Sequence, residues 1–208
     1  MQPYIITIAR QYGSGGKTVG RMLAKRLGIP CYDREIITMA SEDSGINAVL
    51  FTDERLKPDL LDRLRGRYKG DTAVPADSSK AYLRDEALFD YQAKIIRRLA
   101  TEGPCVLIGR CADYVLRDRT DVVRVFVHAD AAFCLEQAML VDSLPEHAVV
   151  KKIAEIDDYR AKYYKHHTGN DWNDARNYDL SINSAVLGFD GVVEEIIRYM
   201  EVRSEFQK

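Results

Sequence analysis

No apolar run in the sequence approaches the roughly 20 residues that a bilayer-spanning helix needs. The opening Met1-Gln2-Pro3-Tyr4 passes straight into a strand-like run without a basic n-region, so no signal peptide is expected. No C-x-x-C pair occurs, and the four cysteines (Cys31, Cys105, Cys111 and Cys134) have no histidine at ligand spacing. That pattern speaks for reduced structural thiols and against a zinc site. Charge of one sign is not in excess either: 30 Lys and Arg stand against 32 Asp and Glu, a formal net charge of -2. This balance argues against a nucleic-acid coat or a polybasic membrane binder. It leaves room for a local basic pocket that takes a small anion. Together these absences point to a cytoplasmic chain with no nucleic-acid or membrane partner.

What is there is ordinary globular composition, with 46% hydrophobic and 30% charged residues in a chain of 208. A single domain of this size buries roughly 70% of its unfolded surface. Apolar runs alternate with amphipathic segments. Strands are expected at Tyr4 to Ile8, Pro30 to Tyr32, Cys105 to Ile108, Val122 to Val127 and Tyr178 to Asn183. Helical patterns lie between them, including Lys17 to Leu27 closed by Gly28, and Arg34 to Glu42 with Asp33 as a possible cap. Others run over Ala81 to Thr101, Ala131 to Val141, Pro145 to Tyr164 and Gly191 to Val202. The alternation predicts an α/β fold on a mainly parallel, five-stranded sheet. About seventy residues before Cys105 carry no strand signal. They hold helical patterns at Asp53 to Arg65 and from Ala81, joined by a polar stretch from Gly66 to Lys80, and read as a helical insertion.

The sharpest motif is Tyr12-Gly13-Ser14-Gly15-Gly16-Lys17-Thr18, between a buried strand and a new helix. Its glycines let the backbone curl so that successive N–H groups face a phosphate. The helix N-terminus adds partial positive charge. Lys17 can neutralise the β- and γ-phosphates, and the Thr18 hydroxyl can bind Mg²⁺. Gly13, Ser14, Gly15 and Gly16 form the cradle. Gln11 replaces the first glycine of the usual G-x-x-x-x-G-K-[ST] pattern. A dinucleotide fingerprint is the nearest rival, with Asp33 near the right distance, but its third glycine would fall on Thr18.

Beyond the loop, three blocks resemble the cytidylate kinase-like family of P-loop kinases. They are Ala9 to Gly16 with Cys31-Tyr32-Asp33-Arg34-Glu35, then Ile108 to Leu116, then Asp157 to Tyr164 continuing through His167-Thr168-Gly169, Trp172 and Asn177 to Leu180. They follow in order over nearly the whole chain; residues 49–99 match poorly. The resemblance implies a single three-layer P-loop kinase domain over residues 1–208. Its core would span 1–48 and 100–208, with a helical acceptor-binding insertion at about 49–99 and a helical lid at about 145–170. It implies transfer of the ATP γ-phosphoryl group to a nucleoside monophosphate, CMP or dCMP foremost, with Mg²⁺.

Several residues are candidates for grip on the acceptor: Asp33, Arg110, Asp113, Asp157 and Arg160. Arg110 follows a strand end, where ligands gather in open parallel sheets, and it can fork onto a monophosphate. Asp113, three residues on, can orient Arg110 or cap a helix. Asp157 and Arg160 share one helical face of the lid; similar kinases use such a pair to read the base and its phosphate. Lys17, Arg110 and Arg160 are the expected catalytic cations, with Arg10 and Lys152 behind them. Residues 129–150 contain no arginine, where similar kinases carry one or more. That gap and Gln11 keep two other readings open: a kinase for another small molecule, or a nucleotide-binding regulatory module.

Overall fold

A computed structural model describes residues 4–46, 48 and 78–206. The helix expected at Asp53 to Arg65, and most of the stretch from Gly66 to Lys80, lie outside the described residues. The β-branched runs form β1 (Ile5–Arg10), β2 (Cys31–Tyr32), β3 (Val106–Ile108), β4 (Val122–His128) and β5 (Leu180–Asn183). They make one five-stranded sheet in the order β2-β3-β1-β4-β5. Every pairing is parallel. The expected α/β class is therefore observed, and the sheet is parallel throughout.

Helices cover both faces, as a parallel sheet requires. They are α1 (Gly16–Leu27), α2 (Glu35–Ser44), α3 (Ser78–Glu102), α4 (Ala112–Val115), α5 (Ala131–Met139), α6 (Glu146–Thr168) and α7 (Ser184–Phe206). The last is broken at Gly188, where φ is 66° and ψ is 170°. Successive strand residues point to opposite faces, and this divides the core. Ile6, Ile8, Val106, Ile108, Val123 and Val125 pack with Val19 and Leu23 of α1 and Ile196 of α7. Ile5, Leu107 and Val122 pack on the other face with Ile36 of α2 and Ile95, Ile96 and Leu99 of α3.

α3 lies in the stretch expected to be an insertion, yet from Leu88 onwards its side chains belong to the sheet's core. An Asp33 cap on the second helix is not formed. That helix starts at Glu35 with Arg34 as its cap position and no side-chain cap bond. The reason lies across the sheet edge, where the Asp33 carboxylate has a stronger partner.

Candidate active site

The carboxyl ends of the parallel strands converge on one edge, where a P-loop fold keeps its ligands. β1 leaves the sheet at Arg10 and turns through Gln11 to Gly15 into α1. Gly13 and Gly15 take φ values of 82° and 76°, a left-handed region that only glycine enters without cost. A Cβ on Gly13 would overlap the Cys134 carbonyl, and one on Gly15 would overlap the Phe189 ring. Ser14 is fully buried. Its hydroxyl sits 2.9 Å from the Gln11 carbonyl and 3.0 Å from the Val127 carbonyl, while the Ser184 hydroxyl donates to the Ser14 carbonyl at 2.7 Å. Ser14 is thus a strut of the loop.

Gln11 gains a reason here. Its backbone N–H donates to Val127 at 3.2 Å, and its side-chain oxygen accepts from the Ala129 N–H at 3.1 Å. The side chain ties the loop's entry to the end of β4, a link glycine cannot make.

At the helix start, the Lys17 ammonium lies 2.6 Å from the Asp33 carboxylate. Arg10 approaches the same carboxylate at 3.9 Å. Thr18 is exposed on the first turn of α1. An exposed hydroxyl, a nearby carboxylate and incoming phosphates are the hard oxygen donors that Mg²⁺ takes. Among the described residues no group of three or more His, Cys, Asp or Glu gathers to hold a metal by itself.

After β3 the chain makes an unusual bend. Gly109, Arg110 and Cys111 have φ of 72°, 60° and 52° in succession. Two non-glycine residues in the left-handed region cost of order 1–3 kcal/mol each and collect at functional sites. The bend places Arg110 on a cleft that Arg10, Arg160, Gly109 and Trp172 also line.

α6 docks over the loop. Asp157 accepts from the Tyr12 N–H at 2.8 Å, and Arg160 lies 3.3 Å from Asp157 while donating to the Arg10 carbonyl at 3.1 Å. Arg160 Nε is buried with no hydrogen-bond partner among the described residues. Burial raises the Asp157 carboxyl above its ordinary value, against the pull of the Tyr12 N–H and Arg160. Lys152 pairs with Asp142 at 2.6 Å, and Asp142 also accepts from the Tyr12 hydroxyl at 2.9 Å. Tyr12 was not singled out by sequence reasoning, although it is a polar aromatic inside the loop and gathers three charged partners from the α6 side.

Asp113 behaves differently from expectation. It is buried, and its carboxylate accepts from the Tyr164 hydroxyl at 2.6 Å rather than turning Arg110. Burial also raises the Asp113 carboxyl. The Asp113–Tyr164 bond fastens α4 to α6 beneath the cleft.

A five-stranded parallel sheet in this order, with a glycine-rich loop and lysine at the β1–α1 junction, has the fold of the P-loop kinases. The chain belongs to the cytidylate kinase-like family, whose model matches residues 5–186. No curated protein matches it. Among solved structures, an uncharacterized protein from Eubacterium ventriosum is 24% identical, with a TM-score of 0.69 over 95% of this chain and 98% of that one. A shikimate kinase from Bacteroides thetaiotaomicron is 12% identical, with a TM-score of 0.55 over 95% and 98%. The YorR protein of Bacillus subtilis, solved with phosphorylated GDP, is 14% identical, with a TM-score of 0.51 over 98% and 99%. No helix among the described residues is long and apolar enough to cross a membrane.

Proposed function

We propose that the protein transfers the γ-phosphoryl group of Mg²⁺-ATP to a nucleoside monophosphate, with CMP or dCMP as the first acceptors to test. One observation carries this reading. A phosphate loop with its lysine and a cleft lined by Arg10, Arg110 and Arg160 lie at the same sheet edge.

Phosphoryl transfer between two polyanions asks the protein mostly for position and positive charge. The N–H groups of Gly13 to Thr18 cradle the donor phosphates, and Lys17 leaves Asp33 to meet the charge that develops between the β- and γ-phosphates. Thr18 would hold Mg²⁺, which would supply further neutralisation of the phosphates. Arg110 and Arg160 hold the acceptor phosphate so that one of its oxygens attacks the γ-phosphorus in line. The bond from γ-phosphorus to the bridging oxygen breaks, ADP leaves, and the acceptor becomes a diphosphate. Asp157, whose carboxyl faces Arg160, orients that guanidinium, and α6 serves as the lid that excludes water. Asp113 positions the lid through Tyr164.

The test is ADP release from Mg²⁺-ATP in the presence of each nucleoside monophosphate and of small-molecule alcohols. CMP-stimulated release that Lys17→Ala abolishes supports the proposal. Release stimulated only by a non-nucleotide alcohol reassigns the acceptor. ATP binding with no acceptor-dependent turnover makes the protein a nucleotide-binding module instead.

A further inference from the structure

We propose that the hollow bounded by α4, β4 and the chain joining α6 to β5 is a second ligand site, which takes a small phosphorylated compound and bears on the cleft through the Asp113–Tyr164 bond. Binding there does not depend on the function proposed above; only an effect on turnover does.

The hollow measures about 270 Å³, close to the lower end of the roughly 300–1,000 Å³ of small-molecule pockets. Arg117, Arg124 and Arg176 line it. They come from three separate pieces of chain. Arg117 follows α4, Arg124 stands near the start of β4, and Arg176 lies in the turn 175–177 before β5. The phosphate loop meets β4 at its other end, where Gln11 donates to the Val127 carbonyl. The hollow is therefore distinct from the phosphate site.

Each arginine is held in place. Arg124, with a side chain 19% exposed, donates to the carbonyls of Arg117 at 3.0 Å and Asp113 at 3.5 Å. Arg117 donates to the Tyr114 carbonyl at 3.1 Å and lies 4.2 Å from the centre of the Tyr114 ring. Carbonyls and a ring orient a guanidinium without cancelling its charge. The carboxylates beside these two groups stand further off, Asp179 at 3.8 Å from Arg124 and Asp118 at 4.0 Å from Arg117. Asp179 also accepts from the Arg124 backbone N–H at 2.7 Å and neighbours Arg203 at 3.8 Å. Arg176, at the rim, is gripped by Asp174 at 2.6 Å. Oriented guanidinium forks from separate directions suit a phosphate group, whose oxygens accept from several donors at once.

Asp113 and Tyr164 line this hollow and also the cleft at the phosphate loop. Their 2.6 Å hydrogen bond is thus a wall between the two. A second link runs beside it. Tyr178 lines the hollow and donates its hydroxyl, at 2.8 Å, to the carbonyl of Trp172, which lines the cleft. An occupant that steadies this wall changes how firmly α6 is held, and by reciprocity a cleft ligand changes affinity at the hollow.

The experiment titrates the isotope-labelled full chain with ribose 5-phosphate, ribose and acetate at constant ionic strength, and follows backbone amides by NMR. With ribose 5-phosphate, the amides of Tyr114, Arg117 and Asn177 are expected to shift saturably. Any binding at the phosphate loop is read separately, from Gly13 to Thr18. Arg117→Gln changes a half-exposed side chain, so its circular dichroism should stay native. It is expected to weaken binding at the hollow by roughly tenfold or more, the loss of one charge-assisted hydrogen bond. Arg176→Gln should weaken it by less. Shifts confined to Gly13 to Thr18, shifts that never saturate, or equal affinity in Arg117→Gln and wild type each overturn the inference. Ribose or acetate binding as tightly as ribose 5-phosphate overturns the phosphate assignment.

Transmission to α6 is read by hydrogen exchange. Ribose 5-phosphate should slow exchange of the α6 amides in wild type. Tyr164→Phe should keep the Arg117 shifts and lose that slowing. Equal slowing in both proteins, or none in wild type, overturns the route through the bond. If no acceptor stimulates ADP release from Mg²⁺-ATP, the kinase reading falls, while the shifts and the exchange still decide this site.

Discussion

Asp113 shows how a residue's neighbours decide its job. Its spacing from Arg110 permitted an orienting role, but the helix it sits on turns it inward to Tyr164. Burial raises its carboxyl above the ordinary value. The folded protein therefore keeps this proton at pH values where the unfolded chain has released it. Proton binding is then greater in the native state, so stability falls as pH rises from the ordinary carboxylate range through the raised value. Asp113→Asn should flatten that part of the slope. Urea unfolding of both proteins across pH 4 to 8 checks this, and identical slopes would remove the assignment. Asp33 teaches the same lesson in reverse. It had the residue type of a helix cap, and Lys17, close in space, claimed the carboxylate instead.

At the scale of elements, the phosphate loop is held from three sides. Ser184 braces it below, Gln11 ties its entry to β4, and Tyr12 links it to α6 and to the chain before α6. Tyr12→Phe deletes the bond to Asp142 and leaves that half-buried carboxylate to Lys152. Loss of about 1 kcal/mol of stability is expected, typical of one hydrogen bond. The amides of α6 should exchange faster with solvent, measurable by hydrogen exchange. Unchanged exchange in α6 would mean that Tyr12 does not fasten it. Gly13→Ala is a harsher change. The new Cβ would meet the Cys134 backbone carbonyl, which cannot swing away as a flexible side chain could. Left-handed backbone at a non-glycine residue adds roughly 1–2 kcal/mol. Thermal melts should show that loss, together with weakened Mg²⁺-ATP binding.

Across the whole molecule, one sheet separates two apolar layers and belongs to both. Ile95 of α3 and Ile196 of α7 are fully buried on opposite faces. Truncating either to Ala should cost about 2–5 kcal/mol. Because both layers share the strands, each variant should lower the urea midpoint of the entire protein. A variant that melts only its own face would show that the layers are independent.

Strand and helix order, the phosphate loop and the glycine stops of α1 were legible in the sequence, because hydrophobic period and glycine placement are local signals. Arg110 and the Asp157–Arg160 pair were legible too, since strand ends and i, i+3 spacing place side chains by local geometry. The partner of Asp33, the tie made by Gln11 and the hub at Tyr12 were not. Each depends on contacts between segments far apart in the chain, which only the packed sheet brings within hydrogen-bonding reach. The sequence by itself determined which pieces the protein has and which end of the sheet holds its phosphate loop. Tertiary structure decided which charges meet there, because a charged group's partner is set by distance in space and not by separation along the chain.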